Sequence, residues 1–483
     1  MKCYLVVPAL ILFFTACSPE AEYYPDALCI EDITTIDAEN GLQEHQTVII
    51  HQGEIVKIGH SNSIRLSPNN KIIKGTGKFL IPGLWDAHVH FAYIEELAPV
   101  MFDLFLYYGI TSVRDTGGEI HFMRQWKEAS EQNTTTAPRV MIAGPLLDGM
   151  PNVYDGSIPA RPPLSKGLAT VEDVENYIDY LDSLGVDLLK AYEMLTPPQF
   201  MAVMAKAKEK GLRVTGHVPL SMDVISTAEA GLNSIEHLRN VEMSMAVNAD
   251  QLLKRRQAML VAGKNQTGGD LRASIHQRQR LGAIANPDSA NTADVIAALN
   301  QNQVVQIPTL ALSKVTAYKE FTGQLWQESY ALLPDTIESG WHQLMLQYAN
   351  GPENTSRQKH YEWASNMTGK MHKAGIPFMA GTDTPIGFLT PGRSLHEELA
   401  LYVEAGMTPL EAIESATLEP AKYFHLDHEL GLISEGMIAD LLILEANPLE
   451  DIRNTESINS VIKEGYWLSP EKLAALKNRL KSQ

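Results

Sequence analysis

Three cysteines in 483 residues cannot supply a disulfide framework. Cys3 and Cys17 lie in the N-terminal segment, which leaves Cys29 without a partner. Positive charge is also scarce, with 39 Lys and Arg against 58 Asp and Glu and a formal net charge of -19. Phosphate backbones and anionic membrane surfaces would be repelled, so nucleic acid is excluded as a partner. No Gly-x-Ser-x-Gly elbow occurs, which disfavours a serine hydrolase. The apolar run from Tyr4 to Phe14 is too short to span a bilayer as a helix.

That run does have the form of a targeting segment. Lys2 gives it a short positive start, and Thr15-Ala16 place small residues before Cys17. Phe14-Thr15-Ala16-Cys17 resembles a bacterial lipobox, although Phe14 departs from the usual leucine. The resemblance implies cleavage of residues 1–16 and lipidation of Cys17. Residues 17–30 would then be a linker, and the only membrane contact would be the lipid anchor. Ser18 would not retain the lipoprotein in the inner membrane, so a periplasm-facing outer-membrane location in a Gram-negative bacterium is expected.

What remains is ordinary globular protein, 45% hydrophobic and 20% charged. Short alternating segments punctuated by Gly and Asn occur near both ends, Cys29–Ile36, Thr47–His51 and Glu54–Ile58 at one, Ala439–Leu444 and Ser460–Tyr466 at the other. They predict one small β-sandwich domain built from residues 31–82 and 428–470. Between them, residues 83–427 alternate strand and helix, which predicts an α/β fold, a TIM-type (β/α)8 barrel. Strands are expected at the run ending in His90, then at 108–115, 138–144, 185–192, 212–217, 233–237, 303–312 and 375–383. Thr170–Leu184 and the stretch from Thr196 to Lys210 are expected helices, the second with Pro197-Pro198 at its start and Gly211 past its end. Residues 241–300 and 317–370 are too long for simple connections and predict helical insertions over the catalytic face, with an oligomer contact as the alternative.

The organising stretch is Ile81-Pro-Gly-Leu-Trp-Asp-Ala-His88-Val-His90. Side chains two apart on a strand share a face, so both imidazoles reach one space. Lys190, His217, His237 and Asp383 each fall at or near the carboxyl end of another expected strand. A barrel gathers those ends into a ring. An ammonium beside a divalent cation is repelled, so Lys190 in such a ring would be neutral or converted to an anion. Carbon dioxide adds to an amine to give a carbamate whose two oxygens can bridge two metals. The alternative is a lysine paired with Glu193 or Asp187.

These motifs, with Leu189-Lys-Ala-Tyr192, Gly211-Leu-Arg-Val-Thr-Gly-His217, Ser234-Ile-Glu-His237, Ala380-Gly-Thr-Asp383 and Gly436-Met-Ile-Ala-Asp-Leu-Leu-Ile-Leu, resemble the amidohydrolase superfamily and its imidazolonepropionase and prolidase-like branch. The resemblance implies a binuclear zinc site. His88, His90, Lys190 and Asp383 would hold one metal, and carbamylated Lys190 with His217 and His237 the other. A shared hydroxide would attack a carbonyl, with Asp383 taking its proton and passing it to the leaving amine. Tyr192, on the same face as Lys190, is the candidate oxyanion donor. Candidate substrate contacts are Arg114, Asp148, Arg393 and His396, and an arginine could grip a substrate carboxylate. The expected reaction is hydrolysis of the amide bond of a dipeptide or N-acyl amino acid. A cyclic amide or lactone is the alternative substrate, and a periplasmic ligand-binding lipoprotein the non-enzymatic alternative.

Overall fold

A computed structural model of the chain describes residues 24–482. The lipobox and Cys17 lie outside the described residues. Among the described residues, no helix is long and apolar enough to cross a membrane.

Both chain ends enter one eight-stranded sheet, as their shared patterning predicts. Leu28–Asp37 lies at its centre, pairing antiparallel with Gly41–His51 on one side. On the other side it pairs parallel with Lys71–Lys74 and then with Phe79–Pro82. Leu441–Leu444 continues the sheet from Phe79–Pro82, followed by Ile458–Lys463 and Tyr466–Leu468. The hydrogen-bonded path is therefore a single sheet, where the sequence suggested a sandwich. It also begins at Leu28, inside the segment expected to be linker. Ile30, Ile33, Val48, Ile55, Leu80, Leu441 and Ile443 are buried together on it, which is why Leu28–Ile30 belong to the sheet. The terminal helix Pro470–Leu480, not expected from the sequence, packs on the helix Ala98–Tyr107.

The middle of the chain forms parallel sheets. Leu84–Val89 pairs with Ile110–Asp115, and that with Arg139–Ile142. Leu188–Ala191, Arg213–Gly216, Ser234–Glu236 and Val305–Ile307 pair in succession. Asp187 N donates to Ile142 O at 2.9 Å and links the two groups. Every residue of Leu84–Val89, Ile110–Asp115 and Leu188–Ala191 is buried, as expected of parallel strands with both faces covered.

The eighth expected strand is not regular. Residues 377–384 hydrogen-bond instead through single contacts. Gln306 N donates to Pro377 O and Met379 N to Gln306 O, while Ala87 N donates to Ala380 O and His90 N to Thr384 O. These bonds carry the segment from Val305–Ile307 back to Leu84–Val89. Asp86 reinforces the join, accepting from the Thr382 amide at 3.0 Å, the Thr382 hydroxyl at 2.7 Å and the His88 amide at 3.2 Å.

The local signals hold at the helices. Val171–Ser183 opens on a capping box between Thr170 and Asp173. Pro197–Lys210 opens on one between Thr196 and Gln199 and ends at Gly211, whose φ of 70° suits glycine. The two long insertions are helical, Ala249–Ala262, Gly268–Ala285 and Ser289–Gln301 in the first, Gln324–Tyr330, Asp335–Ala349 and Thr355–Lys373 in the second.

Candidate active site

The six residues picked from five expected strands share one buried cluster. Asp383 Oδ1 lies 3.1 Å from His88 Nε2 and 3.0 Å from His90 Nε2, and those two nitrogens are 3.3 Å apart. Asp383 Oδ2 is 3.6 Å from His237 Nε2. The imidazoles form an arc, with ring centres 5.2 Å apart for His88 and His90, 4.9 Å for His88 and His237, and 5.0 Å for His217 and His237. Tyr192 extends the arc, 4.5 Å from the His217 ring. His237 and Asp383 have φ of 57° and 68°. Left-handed backbone at such residues costs roughly 1–3 kcal/mol and gathers at functional sites.

The second nitrogen of three rings is engaged, so each is oriented from behind. His90 Nδ1 faces Gly117 O at 2.9 Å, His217 Nδ1 faces Glu193 Oε1 at 2.8 Å, and His237 Nδ1 faces the Thr309 hydroxyl at 2.6 Å. Burial pushes His217 down to about 3 and holds His88 and His237 below the usual histidine range. Neutral imidazoles with free lone pairs are what a metal needs. Asp383 Oδ1 and His217 Nε2 are buried without hydrogen-bond partners. These orphaned donor atoms, converging with His88 and His90, fit a divalent cation. Geometrically, His88, His90 and Asp383 form one candidate metal group, and His88, Glu236 and His237 a second.

Lys190 pairs with neither Glu193 nor Asp187. Its Nζ is 2.7 Å from Glu236 Oε2 and 3.4 Å from the Thr116 hydroxyl. Asp187 is taken by Lys127 at 2.8 Å, and Glu193 by Arg272 and His276. Glu236 escaped the sequence reading although it immediately precedes His237. Burial would raise its carboxyl, but His88, Lys190 and Arg114 hold it well below the usual range.

The proposed substrate contacts are elsewhere. Arg114 is fully buried and donates through Nε to Ala87 O and through Nη2 to Glu236 at 3.2 Å. Asp148 accepts from the amides of Val153, Met194 and Gly149, which ties two loops together. Arg393 stacks over Trp326, 4.4 Å from its ring centre, and lies 3.6 Å from Glu397. His396 contacts the Thr455 hydroxyl and Tyr108 O. None of the four lines the cavity over the cluster, which is bordered by Tyr154, Lys190, Tyr192, Arg239, Arg272 and Asp383 among others. Arg239 and Arg272 went unnoticed in the sequence. Arg239 stands two residues after His237 and could have been found from that strand, whereas Arg272 arrives from a distant insertion.

Comparison with known proteins agrees with this geometry. The ochratoxinase of Aspergillus niger is 45% identical over 83 residues, 17% of this chain and 16% of that protein. An adenine deaminase of Clostridium botulinum is 32% identical over 107 residues, 22% of this chain and 18% of that protein. This chain therefore aligns with less than a fifth of the length of either curated relative. Solved structures match far more of the chain. A Xaa-Pro dipeptidase with bound methionine superimposes with a TM-score of 0.66 at 19% identity, covering 92% of this chain and all of that one. A putative prolidase from Bifidobacterium longum gives 0.64 at 21% identity, covering 94% and 99%. These likenesses are of fold, a TIM-type α/β barrel. The amidohydrolase family matches residues 79–300 and 364–468, which include all six clustered residues, and the chain belongs to that family.

Proposed function

We propose that the protein is a metal-dependent hydrolase of amide bonds, acting on a dipeptide or N-acyl amino acid. The observation that carries this reading is the convergence of His88, His90 and Asp383, with Asp383 Oδ1 buried and unpartnered between two imidazole nitrogens. In this proposal His88, His90, Lys190 and Asp383 hold one zinc ion, and Lys190, as its carbamate, with His217 and His237 holds a second. Zinc bound there would lower the pKa of water to near neutrality and polarise the scissile carbonyl.

The chain's own groups supply the rest. Asp383 accepts the proton released as the nucleophile attacks and returns it to the leaving nitrogen. Glu193 orients His217 through Nδ1, and Thr309 orients His237. Tyr192 lies beside His217 at the cavity wall, where its hydroxyl can donate to the oxygen that becomes negative; burial raises that hydroxyl well above the usual range and keeps it protonated. Thr116 and Glu236 surround Lys190, and the carbamate would replace its ammonium there. The first insertion reaches the cavity, Arg272 from Gly268–Ala285 lining it directly. A lipid anchor at Cys17 and exposure to the periplasm belong to the same proposal, supported by Phe14-Thr15-Ala16-Cys17.

The test is metal content per chain, measured by elemental analysis on protein purified without chelator and with bicarbonate, beside Lys190→Ala. Two equivalents of zinc, falling to one or none in the variant, support the binuclear reading. Two equivalents with full activity in Lys190→Ala would refute the bridging role, and no metal in either would refute the hydrolase.

A further inference from the structure

The wall of the cavity is cationic although the chain as a whole carries a net charge of -19. Arg239 and Arg272 line the cavity beside Tyr192, His237 and Asp383. Arg272 Nε donates to Glu193 Oε1 at 2.8 Å, and its guanidinium carbon is 5.8 Å from the centre of the Tyr192 ring. Arg239 Nε is 3.8 Å from the same carboxylate oxygen, beyond hydrogen-bond distance, and is buried with no hydrogen-bond partner.

Further cations stand behind these two. Arg280 Nε donates to Glu242 Oε1 at 2.9 Å, and its Nη2 contacts His276 Nδ1 at 3.0 Å. Arg256 is 1% exposed, and its Nε and Nη1 have no hydrogen-bond partner. Three guanidinium groups, those of Arg239, Arg272 and Arg280, thus lie against two fully buried carboxylates, Glu193 and Glu242. Buried cations in excess of their anions are costly unless a further anion completes the set. The cavity is where such an anion can enter.

We propose that Arg239 and Arg272 bind the carboxylate of the substrate, so that the scissile amide belongs to a molecule with a free carboxyl group and not to a neutral cyclic amide or lactone. This inference rests on the hydrolase reading and narrows it. A guanidinium presents a planar fork of N–H donors that matches the two oxygens of a carboxylate. Glu193 keeps Arg272 in place through Nε, and Arg239 has a buried donor to offer. Because Glu193 also orients His217, the same carboxylate ties the anion site to the reacting centre.

The experiment compares, on the zinc-loaded enzyme, a panel of dipeptides, the same dipeptides as C-terminal amides, and a set of small lactones. The wild type is expected to favour the free acids by about 10- to 100-fold in kcat/KM, mostly through KM. Arg239→Met and Arg272→Met are each expected to reduce that ratio by about tenfold or more, and Arg239→Lys to restore part of it. Equal turnover of acids and amides by the wild type would overturn the proposal whether or not any variant folds, as would a ratio unchanged in both Met variants. If neither acids nor amides are cleaved while lactones are, the dipeptide reading falls as well; turnover of acids and amides alike removes only the carboxylate site.

Discussion

Lys190 Nζ stands 2.7 Å from Glu236 Oε2, while the other oxygen of that carboxylate receives Arg114 Nη2 at 3.2 Å. Two cations from two strands therefore share one fully buried anion carried by a third. Arg114, a candidate substrate contact by position, is by this relationship part of the core that holds the site together. Arg114→Met should lower stability by about 3–5 kcal/mol, the cost of breaking a buried ion pair from one side, and Glu236→Gln should act in the same direction. Urea unfolding measures both. A near-wild-type midpoint in Arg114→Met, with altered substrate preference, would contradict this placement.

Asp383 is assigned both a ligand atom and the transferred proton. Asp383→Asn keeps an oxygen that can face His88 and His90 but loses the basicity. Its kcat should fall by about 100- to 10,000-fold while zinc measured by elemental analysis stays above one equivalent. Loss of activity only in proportion to loss of metal would remove the proton-transfer role.

The share of stability carried by Glu398 and Asp148 should decline as pH rises from the acid side, opposite in sign to the share of the buried neutral histidines. Burial pushes Glu398 up to about 8, against the opposing effect of the Ala311 and Leu310 amides that donate to it. Burial likewise pushes Asp148 up to about 7. A carboxyl that keeps its proton when folded but loses it near pH 4 when unfolded stabilises fully below that value, and the contribution disappears as pH climbs towards the folded pKa. For Glu398 the window is about pH 4.5 to 8, with a slope of up to about 1.4 kcal/mol per pH unit. Glu398→Gln should flatten this dependence in urea unfolding at pH 5, 6, 7 and 8. An unchanged slope would show that Glu398 does not carry it.

Gly216 lies between the strand that carries Lys190 and the residue His217. A Cβ there would stand 2.0 Å from Ala191 O, backbone that cannot rotate away. Gly216→Ala should force Leu188–Ala191 and Arg213–Gly216 apart, at about 1–3 kcal/mol, and reduce bound zinc. Wild-type metal content and stability would show that the two strands can yield without displacing Lys190 or His217.

Much of this protein is legible in local sequence. His88 and His90 share a face because strand geometry repeats every two residues, and Thr170, Thr196 and Gly211 mark helix ends because unsatisfied backbone groups need those caps. The strand-end positions of Lys190, His217, His237 and Asp383 follow from the alternation of β and α segments. Their mutual distances do not, since those depend on how the strands meet. The eighth segment shows the difference. Gly375–Asp383 has the composition of a strand, yet residues 377–384 are held by scattered hydrogen bonds, among them those to Gln306, Ala87, His88 and His90 and to the carboxylate of Asp86, and not by a regular ladder. What tertiary structure alone decided is the partner of each buried charge. Lys190 meets Glu236 and not Glu193, Arg114 turns inward, and Arg272 reaches the cavity from a helix more than thirty residues beyond His237. Periodicity encodes which face a residue occupies. Long-range electrostatic pairing in a buried space is set by packing, and no local pattern records it.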